Sequence, residues 1–500
     1  MKLAVRWAFA VALGLAWPLA AQEPQTEVPI IGETIDVRVV NVEAVVTNAA
    51  GERVRGVPAA DFRLLVDGRE VPIEYFAEIE EGTSVAAERG AEPAPVAAGE
   101  EVARNYLVYI DEGFSLANRR NAVLDKLERD LSLLGPADRM AILAFDGTRI
   151  HVLCPWTGDA KALDAALAAA RQRPARGDEM LANQRKLQAD VTWILDSADS
   201  LEPDQVQRAL EELSPRISPE ARTELGKTTE AATAALRGFE TPRGRKLMLL
   251  LSGAWSLSVA PRLYGPVVHA ANELGYTVYP VDASQSAMKE ASALDTLARA
   301  TGGRLLIPAD NAVFRAMVAD SGSYYWLGFT PSWKANDQEH RVEVEVRRPG
   351  LTVRSRNGFA DLSHRTAAAI KAESVLLFGG TEGERRLIVM LGEPKRRGGV
   401  FEVPVTLGVP VEALALTPKG KGYQADVPLA VATEEADGSR TSLSGPHLEV
   451  ALRTLPRAGT YARFRTTVRV RDPKQRLIFT IHDPVSGEAI WGEAGPGTAK

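Results

Sequence analysis

Cysteine is all but missing from this chain. Cys154 stands alone among 500 residues, so no intrachain disulfide forms and stability must come from packing or a bound ion. Aromatic residues make up 6% and nowhere alternate with a basic stripe. With a net charge of −6, that absence argues against a nucleic-acid partner. The six histidines are scattered, none in the His-x-x-x-His or Glu-x-x-His spacing that sets two metal ligands on one helix face. There is no Gly-x-Ser-x-Gly elbow and no phosphate-binding loop. Past the N-terminus, no apolar run approaches the length of a membrane span.

The N-terminus carries Lys2 and Arg6, an apolar stretch from Trp7 to Leu15, and then Pro18-Leu-Ala-Ala21-Gln22. That order predicts a signal peptide over 1–21, cleaved after Ala21. The expected product is exported, periplasmic or extracellular, with no integral membrane segment once the signal is removed. An uncleaved anchor is the alternative.

Period-two alternation over 33–80, with turns at Asn48-Ala-Ala-Gly51 and Val66-Asp67-Gly68, predicts a small antiparallel β unit. Residues 81–101 are rich in Glu, Ala, Gly and Pro and read as a linker. Over 102–330, apolar strands alternate with amphipathic helices. The strands expected are Leu107–Ile110, Met140–Phe145, Leu247–Leu251, Thr277–Val281, Arg304–Ile307 and Tyr324–Phe329. Such runs predict an α/β domain on a mostly parallel sheet covered on both faces. Charged helical sequence at 181–240 reads as an insertion. A hairpin within 338–362 is expected to pair with the N-terminal strands as one discontinuous β-sandwich, since neither piece buries a core alone. Short strands between Gly, Pro and Asp turns over 375–500 predict a second, immunoglobulin-like sandwich.

Three stretches together carry a family resemblance. The first is Val37-Arg-Val-Val-Asn-Val-Glu-Ala-Val-Val-Thr47, followed by Asp61-Phe62 and Val66-Asp-Gly68. The second is Tyr276-Thr-Val-Tyr-Pro-Val-Asp282, followed by Leu297-Ala-Arg-Ala-Thr-Gly-Gly303. The third is Tyr324-Tyr-Trp-Leu-Gly-Phe-Thr-Pro331, followed by Arg347-Arg-Pro-Gly350 and Arg356-Asn-Gly358. Over roughly 34–359 the chain resembles bacterial exported proteins with a von Willebrand factor A-related domain. The resemblance implies a Rossmann-like A domain whose upper face binds protein ligands, often through a divalent cation. The expected fold class is therefore α/β: a Rossmann-like von Willebrand factor A domain with a mostly parallel sheet, flanked by antiparallel β-sandwiches.

The family's metal site needs an aspartate and two serines on one loop, a threonine on a second and an aspartate on a third. Asp111 and Ser115 match the first loop, but Gly113 replaces the middle serine. Ser252-Gly253-Ala254 stands where Thr-Asp-Gly belongs. A hard cation wants several oxygen ligands. Glu112, Asp146 and Asp282 fall near strand ends as substitutes, yet the expectation is a degenerate site with no cofactor. Mg²⁺ or Mn²⁺ held by Asp111 and Ser115 is the alternative.

Asp111, Ser115, Asp146, Ser252, Trp255 and Asp282 form the expected ligand-binding rim. Trp255 is its aromatic anchor. The Arg243, Arg245 and Lys246 cluster reads as a solvated strand entrance. No catalytic residue is assigned. The functional expectation is a non-enzymatic interaction or scaffold protein with an unidentified protein ligand in the cell envelope. The alternatives are a cation-dependent adhesion module and a hydrolase working through Cys154 or His151.

Overall fold

The computed structural model describes residues 39–89, 99–178, 219–253, 260–283, 293–306, 313–333, 335–379, 387–435, 440–457, 459–486 and 489–495. The expected signal peptide, Trp255 and most of the 181–240 helical segment lie outside them. Strands β1 (Val40–Asn48), β2 (Phe62–Val66), β3 (Arg69–Val71), β4 (Tyr75–Glu80) and β5 (Thr83–Arg89) come first. β6 (Arg104–Asp111), α1 (Ala117–Arg129), β7 (Arg139–Phe145), β8 (Ile150–Thr157) and α2 (Ala160–Gln172) follow. Next are α3 (Pro219–Gly238), β9 (Arg245–Ser252), α4 (Ala260–Leu274), β10 (Tyr276–Asp282), α5 (Ala293–Ala300) and α6 (Val313–Gly322).

The chain then returns to strands with β11 (Tyr324–Phe329), β12 (Glu339–Val346), β13 (Leu351–Ser355) and β14 (Gly358–Ala360). α7 (His364–Phe378) leads into β15 (Ile388–Leu391), β16 (Lys395–Arg397), β17 (Val400–Pro410), β18 (Thr417–Lys419) and β19 (Gly422–Glu434). β20 (Arg440–Leu452), β21 (Tyr461–Val470), β22 (Arg476–His482) and β23 (Ala489–Ala494) complete the order.

The expected fold class is overturned by the strand pairing. Among the named strands, only β10–β9, β9–β6 and β6–β7 pair in parallel. The others are antiparallel, across four further sheets. Even the sheet with parallel pairs is mixed. It runs β10–β9–β6–β7–β8, with β8 antiparallel to β7 across a short turn. Of the expected strand Arg304–Ile307, whose last residue lies outside the described ones, Leu306 forms an isolated parallel bridge to Val281, and Tyr324–Phe329 leaves this sheet altogether. No Rossmann-like A domain results.

The misreading of Tyr324–Phe329 has a physical cause. As β11 it sits at the centre of the antiparallel sheet β13–β1–β11–β4–β5, which is buried on both faces. One face packs on the sheet β14–β12–β2–β3 through Val42, Val46, Phe62, Leu64, Leu327 and Val344. The other carries Val45, Ala77, Ile79, Val102 and Tyr324 inward. A continuous apolar run follows from two-sided burial, whatever the strand direction. β13 pairs with β1 and β12 with β2, so the strands at 339–355 share sheets with the N-terminal ones.

The mixed sheet is covered on both sides. Leu107, Tyr109, Leu143, Met248 and Leu250 face α3, α4 and α5. Tyr106, Val108, Ile142 and Leu249 face α1, α2 and α6. In the C-terminal region two antiparallel sheets enclose Val403, Val405, Leu407, Val427, Phe479 and Ile481, which makes a β-sandwich.

α7 joins these parts. Ser363 caps it by accepting from the Thr366 N–H at 3.2 Å, and Gly379 ends it at φ +79°. Ala368, Ala372, Val375 and Leu376 bury against Ala430, Ala432, Ile478 and Trp491. Its other side meets the end of α3 and the residues after it. Ser374 Oγ donates to the Gly238 carbonyl at 2.6 Å, Lys371 pairs with Glu240, and the Phe378 and Phe239 rings meet edge-on.

Gly303, in the segment after α5, lies against β10. Its N–H donates to the Ala298 carbonyl at 2.8 Å, and a Cβ there would fall 1.9 Å from the Val278 carbonyl oxygen. That obstacle is backbone and has no rotamer to escape into. Gly303→Ala should therefore cost about 3 kcal/mol. Thermal melting beside wild type checks it; an unchanged transition would contradict this packing.

Candidate functional site

The carboxyl ends of β6, β9 and β10 are knitted together by backbone bonds. Ala283 N–H donates to the Ser252 carbonyl at 2.7 Å, and Leu116 N–H donates to the Ala283 carbonyl at 3.3 Å. Asp111 lies fully buried at their centre. Its Oδ2 accepts from Ser252 Oγ at 2.6 Å. Its Oδ1 accepts from the N–H groups of Gly113 at 3.0 Å and Phe114 at 3.2 Å. The Thr228 hydroxyl, from α3, also bonds to it. Burial outweighs these donors and pushes the Asp111 carboxyl up to about 6.

Ser115 Oγ is buried in the same loop with no hydrogen-bond partner. Beside it, Glu112 is almost fully buried and pairs with Arg173, with Nη2 at 3.3 Å from Oε2 and Nε on Oε1. Arg120 is also completely buried. It donates to the carbonyls of Arg173 at 2.8 Å, Pro174 at 3.1 Å and Arg171 at 3.3 Å. The segment after α2 is thereby pinned over the loop. Arg176 N–H donates to the Glu112 carbonyl at 2.8 Å, and Gly177 N–H to the Ser115 carbonyl at 3.2 Å.

Of the expected rim residues, Asp111, Ser115 and Ser252 come together, all inaccessible to solvent. Asp282 ends β10 in register with Ser252. Asp146 is used elsewhere, in the turn between β7 and β8. Its Oδ1 accepts from the N–H groups of Thr148 and Arg149, both at 2.8 Å, and its Oδ2 lies 2.6 Å from His151 Nε2. Burial would raise its pKa, but His151 and the backbone donors bring it to about 2. Trp255 lies outside the described residues. Of the basic cluster expected as a solvated strand entrance, Arg243 is exposed, but Arg245, which opens β9, is buried and Lys246 half-buried.

Thr228, Arg173 and Arg120 escaped the sequence reading. Arg120 had a signal, since it precedes Leu124 and Leu127 by four and seven residues and so shares their buried stripe. Nothing local marks Thr228 or Arg173.

Chemically, the pocket is an acid ringed by hydroxyls. A hard dication needs several oxygen ligands, usually with more than one negative charge. Here Asp111 has both oxygens already bonded, and its neighbour Glu112 is committed to Arg173. Ser115 Oγ alone is left over. The residues do not fit a tightly held divalent cation. Among the described residues no three of His, Cys, Asp and Glu gather as a metal site. Cys154 is buried on β8, where burial, then Asp159, raises its pKa. That disfavours the thiolate a nucleophile needs.

No family model matches the chain, and no curated protein matches it. Among solved structures, the N-terminal domain of TFIIH p34 aligns at 14% identity and TM-score 0.22, over 43% of this chain and 96% of that one. The pilus adhesin SpaC from Lactobacillus rhamnosus GG aligns at 9% and 0.22, over 78% and 56%. OgpA from Akkermansia muciniphila aligns at 10% and 0.18, over 55% and 69%. Scores this low carry no argument about fold or function.

Two outcomes follow from the Asp111 environment. An unfolded Asp titrates near ~3.9, and the folded group near about 6. The native state therefore holds the extra proton between those values, and stability falls as pH rises through that window. The loss is roughly 2 to 3 kcal/mol. Asp111→Asn should remove this slope and melt higher than wild type above the window; parallel pH profiles for the two would contradict it. Separately, millimolar Mg²⁺ or Mn²⁺ should leave the melting temperature where EDTA leaves it. A rise that Asp111→Ala abolishes would restore a cation, because only native-state binding stabilises.

Proposed function

We propose that this chain is a non-enzymatic, exported interaction or scaffold protein of the cell envelope that docks its partner on the C-terminal sandwich. The observation that carries this reading is the outer face of the β15–β17–β21 sheet. On β17, Val403, Val405 and Leu407 point into the core. The alternate positions Glu402, Pro404, Thr406 and Gly408 face out.

Register then builds rows across that outer face. Ile388, Gly408 and Arg463 share one row, and Met390, Thr406 and Arg465 the next. Lys395, Glu402 and Arg469 form a third. Ile388 is 46% exposed, Met390 49% and Tyr461 47%, so large apolar side chains stay in water. Ile388 and Tyr461 both lie over Gly408, which makes the apolar positions contiguous. Arginines on the exposed face of β21 border them.

β15 ends its sheet's order, and the Leu387 N–H just before it donates to the Trp491 carbonyl of β23 at 2.7 Å. Exposed apolar side chains with a basic border suit a partner segment that carries apolar and acidic residues. The 1–21 leader supports export. Among the described residues no helix is long and apolar enough to cross a membrane.

The test is affinity capture from envelope extract with the mature chain, wild type beside Met390→Asp/Arg465→Glu. Both positions are on the surface, so stability should hold within about 0.5 kcal/mol. The captured partner should bind in EDTA and bind the double variant at least about tenfold more weakly. Equal capture by both would move the interface elsewhere. Turnover in a broad hydrolase screen that is lost in Cys154→Ser would replace the non-enzymatic reading.

A further inference from the structure

A cavity of about 190 Å³ lies where the start of β9 meets the antiparallel sheet. Asn41 and Glu43 of β1, Arg245 and Lys246 of β9, Trp326 of β11 and Arg356 are among the residues that line it. Its charges do not balance. Arg245 Nη2 pairs with Glu43 Oε2 at 2.7 Å, so that cation and the one lining carboxylate cancel. Lys246 and Arg356 remain.

Neither makes a close ion pair among the described residues, and only the longer-range negative charges of Glu240 on Lys246 and Glu43 on Arg356 act on them. Lys246 Nζ donates to the Leu274 carbonyl at 3.0 Å and lies 5.8 Å from the centre of the Tyr276 ring. Arg356 gives Nη2 to the Asn41 carbonyl and Nη1 to the Asn272 carbonyl at 3.5 Å. All four are neutral groups. Three N–H donors of the lining are buried with nothing to donate to, Arg245 Nε, Arg356 Nε and Trp326 Nε1, against one buried acceptor without a donor, Asn41 Oδ1. A buried donor without a partner is costly, and more so when it is charged.

We propose that this cavity binds a tetrahedral oxyanion, a phosphate group, between Lys246, Arg356 Nε and Trp326 Nε1. Three features select that class. The excess charge is positive, which asks for an anion. The waiting donors come from three different chain segments rather than as one guanidinium fork. A group with oxygens in several directions meets them better than a planar carboxylate does. The cavity has room for about six waters at ~30 Å³ each, enough for a phosphate and a short substituent. Burial, and then the Arg356 charge, already lowers the Lys246 pKa, and burial lowers that of Arg356. An anion between them relieves the strain on both charges.

Isothermal titration calorimetry on the full chain tests this with inorganic phosphate, glycerol phosphate, acetate and chloride at matched ionic strength. Phosphate should give one saturable isotherm, with acetate at least about tenfold weaker and chloride silent. Glycerol phosphate binding more tightly than phosphate would identify a phosphate monoester as the ligand; the reverse would identify the free ion. Lys246→Met keeps the stem and should weaken phosphate at least about tenfold. Trp326→Phe keeps a ring and should weaken it about fivefold, so it decides the matter if Lys246→Met fails to fold. No heat beyond chloride, acetate equal to phosphate, or wild-type affinity in a folded variant would overturn the assignment.

Discussion

Arg245 opens β9 with its charge already inside the protein, and elements of two sheets are arranged around it. Glu43 of β1 supplies the counter-charge, the Tyr324 ring of β11 lies 3.9 Å below the guanidinium, and the Ser321 carbonyl takes a further N–H. Burial works against this cation, yet Glu43 leads the partners that hold its pKa above the ordinary value. Removing one partner of such a pair leaves a buried charge uncompensated, a penalty of about 3–5 kcal/mol. The mixed sheet and the antiparallel sheet are therefore fixed to each other by electrostatics as well as apolar contact. A second clamp, Arg104 to Asp138 at 2.6 Å, lies between the starts of β6 and β7.

What the sequence makes visible is burial. Leu107–Ile110, Leu247–Leu251 and Tyr324–Phe329 are all apolar runs, and all are inside. Direction is not visible in such a run, because parallel and antiparallel neighbours bury it alike. The choice for β11 rests on pairing with Val40–Ala44, far earlier in the chain. β8 escaped notice for the opposite reason. As an edge strand it is only partly buried, so Ile150–Thr157 lacks a continuous apolar signature. α7 had local signals in Ser363 and Gly379, but its small buried alanines make a weak stripe.

The Asp111 pocket divides in the same way. An acid at the end of an apolar strand is readable as sequence, and so are Ser115 and the loss of the serine at Gly113. The bond from Ser252 joins residues 141 positions apart, and Thr228 comes from a helix with no motif. Long-range hydroxyls settle whether the acid faces an ion or its own protein. Sequence spacing records only the near half of that arrangement.

The return of the chain to its first sheet has a consequence for synthesis. Val40 pairs with Phe329 and Asn48 with Leu351, so β1 gains neither neighbour until nearly three hundred further residues have emerged. At about 5–20 residues per second, that is a wait of roughly 15 to 60 seconds with both strand edges open. Throughout it, Val42, Ala44 and Val46 are an adhesive stripe in search of a partner. A nascent chain built this way keeps its first strand exposed to mispairing until most of the chain has been made.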